Sequence, residues 1–425
     1  MGFLEELEWR GMLHSQTPEV AEALAEGMVT GYIGFDPTAP SLTIGNYVQL
    51  MILHHFQAHG HRPIVLMGGA TGRIGDPSGK DKERELKTFD ELDSNLEHQK
   101  AQMRRFLNFE EGENAAILVN NYDFYKDMNA LDFLREVGKT LTVNYMMSKE
   151  SVKRRIETGI SFTEFSYQLL QGYDFQCLYE REGCTLQMGG SDQWGNITTG
   201  VEFVRRNLGA KVHAVTTPLL TKADGSKFGK SEAGNIWMDG GLTSPYQFYQ
   251  FWLNADDRDL PKYFRYFSFK SREKIEGLES EHADDPRTLK RLLAEELTTR
   301  VHGEASLEAV QAVSRILFDK KANADTLQSL TADALAMVAQ EIPTYEVARG
   351  HFQRNMTASN LLAGETSVVA SNGELRRAIK GNAIAINKVK LTDHEHEITL
   401  DNLLHDCYLL VENGKKNKYL IVATD

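Results

Sequence analysis

The chain is poor in cysteine and lacks a long hydrophobic run, and each shortage excludes a class of protein. Its 425 residues include three cysteines, which are too few for a disulfide framework and lack the spacing of a metal site. No stretch approaches the roughly 18 consecutive apolar residues of a membrane helix. The first residues also lack the basic and apolar regions of a secretory signal. We therefore expect a cytoplasmic protein without membrane contact or bound metal.

A surplus of basic charge is also missing. The 47 lysines and arginines are outnumbered by 60 acidic residues, so the formal net charge is −13. This balance argues against a protein that coats nucleic acid non-specifically, because such binding depends on phosphate neutralisation. It leaves room for a local basic patch. The hydrophobic fraction of 41% is ordinary for a globular protein, and the length predicts two or three domains.

Apolar, β-branched runs alternate with helical patterns in the first half of the chain. After a helical arm over 1–27, candidate strands lie at Met28–Phe35, Pro63–Met67, Ala115–Val119, Thr185–Met188 and His213–Leu219. This alternation predicts an α/β fold with a parallel sheet covered on both faces. Ligands of such sheets bind beyond the carboxyl ends of the strands. The pattern becomes wholly helical from about Ser244 to Glu341, and a small α+β tail begins near Thr357.

Three loop motifs carry the polar residues of a candidate site: Phe35–Asn46 (FDPTAPSLTIGN), Gly75–Arg84 (GDPSGKDKER) and Lys222–Ser231 (KADGSKFGKS). In the first motif, Gly45 allows a flat ligand close to the backbone, and the following helix offers N–H groups to an anion. In the third, two lysines three residues apart can reach one polyphosphate. Each motif alone also fits a helix cap or a solvated turn.

In this order and at these separations, the motifs resemble bacterial-type tyrosyl-tRNA synthetases of class I. The first stands where that class carries His-Ile-Gly-His, and the third where it carries Lys-Met-Ser-Lys-Ser. Three further blocks look like the tyrosine-site blocks of the family: Gly68–Lys80 (GGATGRIGDPSGK), Ile160–Phe175 (ISFTEFSYQLLQGYDF) and Gln187–Ile197 (QMGGSDQWGNI). Tryptophanyl synthetases share the fold, but we do not recognise these blocks in them.

The resemblance implies a domain order and a set of partners. It predicts a Rossmann-like catalytic domain over 1–222, a lysine loop with a helical anticodon-side domain over 223–330, a linker over 331–356 and an S4-like RNA-binding domain over 357–425. The partners it implies are tyrosine, tRNA(Tyr) and ATP with Mg²⁺, without a tightly bound cofactor. It also implies a homodimer.

The implied tyrosine site makes chemical sense. By resemblance, Asp76, Tyr167 and Gln171 hold the α-amino group, and a carboxylate with neutral acceptors suits a cation. Tyr32 and Asp174 match the residues that bond the phenolic hydroxyl, and Gln187 lines the site. A phenylalanine ring would leave that buried donor and acceptor unpaired, which favours tyrosine.

The implied nucleotide site depends on positioning and charge, because the reaction builds negative charge on phosphates. Residues that match the family's catalytic and pyrophosphate-binding positions are Thr38, Thr43, Asn46, Lys80, Arg84, Lys227 and Lys230. Other positions that match the ATP site are Gly34, Asp36, Gly45, Gly190, Asp192, Gln193 and Ser231.

Thr43 and Asn46 depart from the family pattern, since both replace histidine. Asn46 keeps a neutral N–H donor, whereas the Thr43 hydroxyl is shorter than an imidazole. We expect Thr38 and the lysine loops to compensate. The alternative is an RNA-binding protein that kept the fold and lost activation through Thr43. An enzyme for another aromatic amino acid is opposed by Tyr32 and Asp174.

The tail concentrates basic residues within an acidic protein. Residues 371–391 hold five basic side chains against one acid, Glu374, and a second cluster follows near the end of the chain. This focused charge predicts RNA contact. The residues expected to bind tRNA are Arg376, Arg377, Lys380, Lys388, Lys390, Lys415, Lys416 and Lys418.

Overall fold

The computed structural model of the protein describes residues 2–78, 87–231, 234–319, 322–354, 356–414 and 417–425. The chain forms two compact units: an N-terminal unit of Met1–Thr243 with Phe251–Leu297, and a C-terminal unit of Ser244–Gln250 with Thr298–Asp425. These boundaries differ from the predicted ones at 222, 330 and 356, because each unit is assembled from two separate stretches of the chain.

The N-terminal unit contains a mainly parallel sheet with the strand order β1-β6-β5-β2-β3-β4. Its strands are β1 (Ser15–Gln16), β2 (Thr30–Phe35), β3 (Arg62–Met67), β4 (Ile117–Asn120), β5 (Cys184–Gly190) and β6 (His213–Thr217). All five strands predicted from apolar runs are present with small shifts at their ends. The order places β2 beside β5, where the direction of winding reverses. That edge is where α/β sheets bind ligands.

Helices surround this sheet, and their ends follow local signals. They are α1 (Phe3–Arg10), α2 (Val20–Ala25), α3 (Ile44–Ala58), α4 (Phe89–Met103), α5 (Tyr122–Tyr125), α6 (Ala130–Glu136), α7 (Val143–Met147), α8 (Glu150–Thr158), α9 (Phe162–Glu182) and α10 (Trp194–Leu208). A ribbon of β7 (Lys230–Ser231) and β8 (Gly234–Asn235) follows. Ser161 caps α9 through the N–H of Glu164, and Gly183 ends it in the left-handed conformation.

The predicted helical arm over 1–27 is interrupted in the structure. Gly11, with a φ of 72°, ends α1, and Ser15–Gln16 then pairs antiparallel with β6 at the edge of the sheet. An edge strand with free backbone groups recruits such a segment, and helical periodicity does not reveal it.

The helical stretch predicted from Ser244 to Glu341 is present. It comprises α11 (Pro245–Leu253), α12 (Leu260–Phe267), α13 (Arg272–Glu281), α14 (Pro286–His302), α15 (Glu304–Phe318), α16 (Ala324–Gln328) and α17 (Ala332–Glu341). The division between the two units falls within α11 and α14.

The C-terminal unit ends in a sheet with the order β11-β10-β12-β13-β9. Its strands are β9 (Thr344–Ala348), β10 (Ile384–Ile386), β11 (Val389–Lys390), β12 (Tyr408–Asn413) and β13 (Asn417–Thr424), with α18 (Ala358–Asn360) and α19 (Asn372–Lys380) beside them. Residues 331–356, predicted as a linker, instead supply α17 and β9. Because β9 pairs parallel with β13, this segment is part of the folded unit.

Candidate active site

A cavity of about 340 Å³ opens at the carboxyl ends of β2 and β5. It brings together most of the residues that the sequence proposed for substrate binding: Tyr32, Gly34, Asp36, Thr38, Gly45, Asn46, Asp76, Tyr167, Gln171, Asp174, Gln187, Gly190, Asp192 and Gln193. Its described lining includes four aspartates and no lysine or arginine. The cavity therefore suits a ligand that carries a positive group.

One end of the cavity is built around Asp174, which is 1% exposed on α9. Asn121 Nδ2 donates to Asp174 Oδ2 at 2.9 Å, and the Tyr125 hydroxyl lies 2.7 Å from Oδ1. Burial raises the pKa of Asp174 to about 7, although these two hydrogen bonds favour the ionised form.

The hydroxyl of Tyr32 lines the same cavity as Asp174. This hydroxyl is buried and has no hydrogen-bond partner within the described part of the chain. Burial raises the pKa of Tyr32 well above its ordinary value, so the group remains a neutral donor and acceptor. An unpaired buried hydroxyl costs about 1–3 kcal/mol, and a ligand with a matching polar group removes that cost.

Asp76 forms a second acidic centre. Its Oδ1 accepts from the Ser78 N–H at 2.9 Å and from Asn196 Nδ2 at 3.3 Å, and its Oδ2 accepts from Gln193 Nε2 at 2.8 Å. Neutral amide groups orient this carboxylate at the wall of the cavity, and a carboxylate suits a cationic ligand.

Asp36 links β2 to the opposite wall. Its Oδ2 accepts from the Tyr167 hydroxyl at 3.0 Å, and its Oδ1 accepts from Thr71 Oγ1 at 2.7 Å. Gln171 and Gln187 each contribute a buried amide oxygen that has no partner among the described residues. Both residues line the cavity and add neutral polar groups to its acidic wall.

The sequence analysis missed Gln49, Thr71, Asn121 and Tyr125. Asn121 is the most connected of them: its Oδ1 accepts from the Ala70 N–H at 2.7 Å, and its Nδ2 reaches both Thr71 and Asp174. Its position directly after β4 was an available signal, since polar residues at strand ends had marked the other parts of the site.

The start of α3 is held by a reciprocal cap between Thr43 and Asn46. Thr43 donates to Asn46 Oδ1 through its N–H at 3.0 Å and its hydroxyl at 2.9 Å, while its Oγ1 accepts from the Asn46 N–H. Thr43 lines a neighbouring cavity together with Thr38 and Asn46. The Thr43 hydroxyl proton is thus directed to Asn46, and the Asn46 NH₂ group is turned away from Thr43.

The lysine loop lies against this helix start. Gly229 has a φ of 83°, and a Cβ there would lie 3.3 Å from Ile44 Cγ1, so a larger residue would disturb the contact. The Ile236 N–H donates to the Gly229 carbonyl, and the Ile44 N–H donates to the Ile236 carbonyl. Lys227 and Lys230 are exposed on this loop and line neither cavity. For Ser231 the structure gives the backbone, in β7; Lys80 and Arg84 lie outside the described residues.

Two of the tail lysines that were predicted to bind RNA are instead largely buried and bonded within the C-terminal unit. Lys388 is 6% exposed at its side chain and pairs with Glu412 at 2.8 Å, and Lys418 is 14% exposed and lies 3.8 Å from the same carboxylate. Their ammonium groups also bond the carbonyls of Ile316 and Leu317 at the end of α15. They serve as a cap for that helix end. Arg376, Arg377, Lys380 and Lys390 are exposed, whereas Lys415 and Lys416 lie outside the described residues.

We expect Lys388→Met to lower the free energy of unfolding of the C-terminal unit by about 1–3 kcal/mol, because the Glu412 carboxylate keeps only the more distant Lys418 ammonium and the Ile316 carbonyl loses this donor. Urea unfolding of the full chain measures the effect. The control is Lys380→Met, an exposed site where we expect a change within about 0.5 kcal/mol. Equal stability of the two variants would contradict the capping role.

Two family models match the chain. One, described as tRNA synthetases class I (W and Y), matches residues 25–319. The other, described as a tyrosine–tRNA ligase SYY-like C-terminal domain, matches residues 334–422. The sheet order, the cavity and the first match together define a class I tRNA synthetase.

Curated relatives narrow this class. A tyrosine–tRNA ligase of Bacteroides fragilis is 51% identical over 430 residues, covering 100% of both chains. One of Cytophaga hutchinsonii is 52% identical over 423 residues, covering 99% of each. The chain belongs to the tyrosine–tRNA ligase family.

Solved structures agree. A C-terminally truncated mitochondrial tyrosyl-tRNA synthetase of Aspergillus nidulans superposes with a TM-score of 0.67 at 30% identity, covering 75% of this chain and 94% of that one. A tyrosyl-tRNA synthetase of Archaeoglobus fulgidus, complexed with L-tyrosine, has a TM-score of 0.54 at 18% identity, covering 72% and 99%. The latter supports the fold alone. The α/β fold with a small C-terminal sheet is therefore confirmed.

Proposed function

We propose that the protein activates tyrosine with ATP in this cavity. A carboxylate oxygen of tyrosine attacks the α-phosphorus, the bond to the β-phosphate oxygen breaks, and tyrosyl-AMP and pyrophosphate form. A ribose hydroxyl at the 3′ end of tRNA(Tyr) then attacks the acyl carbon, and AMP leaves. Neither step needs a covalent bond to the protein, so positioning and electrostatic stabilisation carry the reaction.

The observation that carries the proposal is the buried hydroxyl of Tyr32, which lacks a partner among the described residues and shares the cavity with Asp174. A phenolic hydroxyl between them could accept from one and donate to the other. The ammonium group of the same ligand would then be taken by Asp76, with Tyr167 and Gln171 beside it. We assign Gln187 to the lining of this pocket.

The experiment is ATP–pyrophosphate exchange driven by tyrosine, with phenylalanine and tryptophan as controls. Exchange with tyrosine alone is expected. Exchange with another aromatic amino acid would instead support a different substrate. Absence of exchange, in a chain that still binds tRNA, would support the inactive RNA-binding alternative.

We further propose that the nucleotide lies along the starts of α3 and α10, near Gly34, Asp36, Gly45, Gly190, Asp192 and Gln193. Lys80, Arg84, Lys227 and Lys230 act on its phosphates, with Ser231 beside them. Mg²⁺ is assigned to ATP as part of the nucleotide substrate. Within the described residues, no group of three or more histidine, cysteine or acidic side chains is placed to hold a metal ion.

Thr38 and the lysine loops are proposed to replace the donor that histidine supplies at position 43. We therefore expect Thr43→His to change kcat for activation by less than about tenfold, because these groups already supply the donor; the lost cap, about 1 kcal/mol, lowers the stability of α3 and not kcat. Stopped-flow measurement of tyrosyl-AMP formation tests this. Thr88→His, which removes the same kind of cap from α4, is the control. A hundredfold rise for Thr43→His would refute the compensation.

The exposed basic residues of the C-terminal unit, Arg376, Arg377, Lys380 and Lys390, are proposed to contact tRNA, together with Lys415 and Lys416. We do not include Lys388 and Lys418 in this tRNA-binding surface, because their ammonium groups are bonded within the C-terminal unit. Replacing one phosphate-contacting lysine should lower the salt dependence of tRNA binding by about one unit of slope.

We also propose a homodimer that acts in the cytoplasm. Along α6–α9, several apolar side chains are open to solvent in the single chain, including Leu131 at 77%, Val143 at 60% and Phe162 at 74% exposed. A second copy would cover such surface. Sedimentation velocity tests this, and a monomer at micromolar concentration would contradict it. None of the described helices is long and apolar enough to cross a membrane.

A further inference from the structure

Tyr125 stands behind the carboxyl group that is proposed to read the phenol. Its hydroxyl lies 2.7 Å from Asp174 Oδ1 and 2.8 Å from the carbonyl oxygen of Leu170. It is not among the residues that line the cavity, so it reaches Asp174 from outside the substrate space. Asn121 occupies Oδ2 from another direction, at 2.9 Å.

The Tyr125 hydroxyl has one proton and two neighbouring hydrogen-bond acceptors. A hydroxyl carries one proton, yet both of its neighbours accept hydrogen bonds while Asp174 is ionised. The hydroxyl then donates to Oδ1. When the carboxyl carries a proton on Oδ1, that proton is donated to the Tyr125 oxygen, and the Tyr125 proton goes to Leu170. The same side chain therefore satisfies Oδ1 in both protonation states.

We propose that Tyr125 is a positioning residue for tyrosine recognition: by occupying Oδ1 of Asp174 in both protonation states, it leaves Oδ2 facing the phenolic hydroxyl of the substrate. This inference rests on the proposed function. It assigns a role to a hydroxyl on α5 that does not itself contact the substrate. Without it, the buried carboxyl could turn or lose its charge.

The surroundings of Asp174 make its protonation sensitive to this hydroxyl. Burial raises the pKa of Asp174 to about 7, the hydrogen bonds from Asn121 and Tyr125 lower it, and the charge of Asp36 raises it. The other titratable groups that act with Asp174 are Tyr32 on β2 and Tyr167 and Cys177 on α9. All three have raised pKa values, so they stay neutral where Asp174 titrates.

The first test is Tyr125→Phe. Losing a donor to the carboxylate raises the pKa of Asp174 further, so the ionised, stronger acceptor forms at higher pH. We expect kcat/KM for tyrosine to fall about tenfold at pH 6.5 and no more than about threefold at pH 9, since one pKa unit is a tenfold effect. The midpoint of the pH profile should move upward. The kcat at saturating tyrosine should stay within about twofold.

The matched control is Tyr173→Phe. The Tyr173 ring lies 5.7 Å from that of Tyr125, but its hydroxyl bonds Cys177 and not Asp174. This variant should keep the wild-type pH profile. A Tyr125→Phe profile with the wild-type midpoint would overturn the proposal, as would an equal shift in Tyr173→Phe.

A second measurement uses the wild-type chain and does not depend on the variant folding. Calorimetry of tyrosine binding at pH 7, in buffers of different ionisation enthalpy, should show net proton release, because a phenol that donates to Oδ2 favours the ionised carboxyl. The release should fall between pH 7 and pH 8, as Asp174 becomes ionised in the free protein, and it should be absent with phenylalanine. No release at pH 7 would overturn the proposal. Failure of tyrosine-dependent exchange in the wild-type chain would instead overturn the proposed function, so the two failures are distinguishable.

Discussion

Replacing Asp76 with asparagine is expected to lower kcat/KM for tyrosine about a thousandfold, which corresponds to about 4 kcal/mol. The Asp76 carboxylate is 8% exposed and accepts three hydrogen bonds. An asparagine would remove the charge that is proposed to bind the substrate ammonium. It would also point an NH₂ group at a donor, because both carboxylate oxygens already face N–H groups. Leaving a buried cation without its partner costs about 3–5 kcal/mol.

The loss at Asp76 should depend on the ammonium group. Equilibrium binding of tyrosine and of 3-(4-hydroxyphenyl)propionate, which lacks that group, separates the charge effect from a general disturbance. We expect Asp76→Asn to weaken tyrosine alone. Asp93→Asn is the control, since Asp93 is half-exposed in an ion pair with Arg73. Equal loss for both ligands would show that the substitution had damaged the pocket instead.

The sheet and much of the candidate site could both be predicted from the sequence, but they depended on different signals. The apolar runs of β2, β3 and β5 are local signals, because a strand buried on both faces is continuously hydrophobic. The residues around the cavity were found because they lie in long, specific motif blocks. Tyr125 lies outside those blocks, and the role proposed for its hydroxyl depends on two hydrogen-bond acceptors on α9, which are distant in the sequence.

Long-range contacts explain what the sequence left hidden. Lys388 and Lys418 read as solvated basic residues, because the helix carbonyls that they cap are about 70 and 100 positions away in the chain. Likewise, β9 has a weak local pattern and exists through parallel pairing with β13. The Thr43–Asn46 cap is local, and it agrees with the helix cap that the first motif alone already allowed.

Replacing Lys230 with alanine is expected to lower kcat for tyrosine activation by about 100- to 1000-fold, the usual loss for one donor to a developing charge. Lys230 is exposed, so its ammonium is solvated in the free protein, and its proposed contact with pyrophosphate forms only as the reaction proceeds. An interaction made mainly in the transition state changes kcat and leaves substrate affinity alone. Tyrosine binding should therefore be unchanged, and Lys227→Ala should behave alike.

The two steps of the reaction give this prediction its sharpest test. Pyrophosphate has left before the tyrosyl group reaches tRNA, so Lys230→Ala enzyme supplied with preformed tyrosyl-AMP should transfer tyrosine at the wild-type rate. Lys139→Ala, at an exposed site in the same unit, should leave both steps intact. If the rate of transfer falls as far as the rate of activation, the substitution has disturbed the whole lysine loop, and its effect is not specific to the leaving pyrophosphate. Gly229 packs the loop against α3, so removing the Lys230 side chain should leave the loop in place. Loss of the first step alone would then show that the charge of Lys230 is what activation requires.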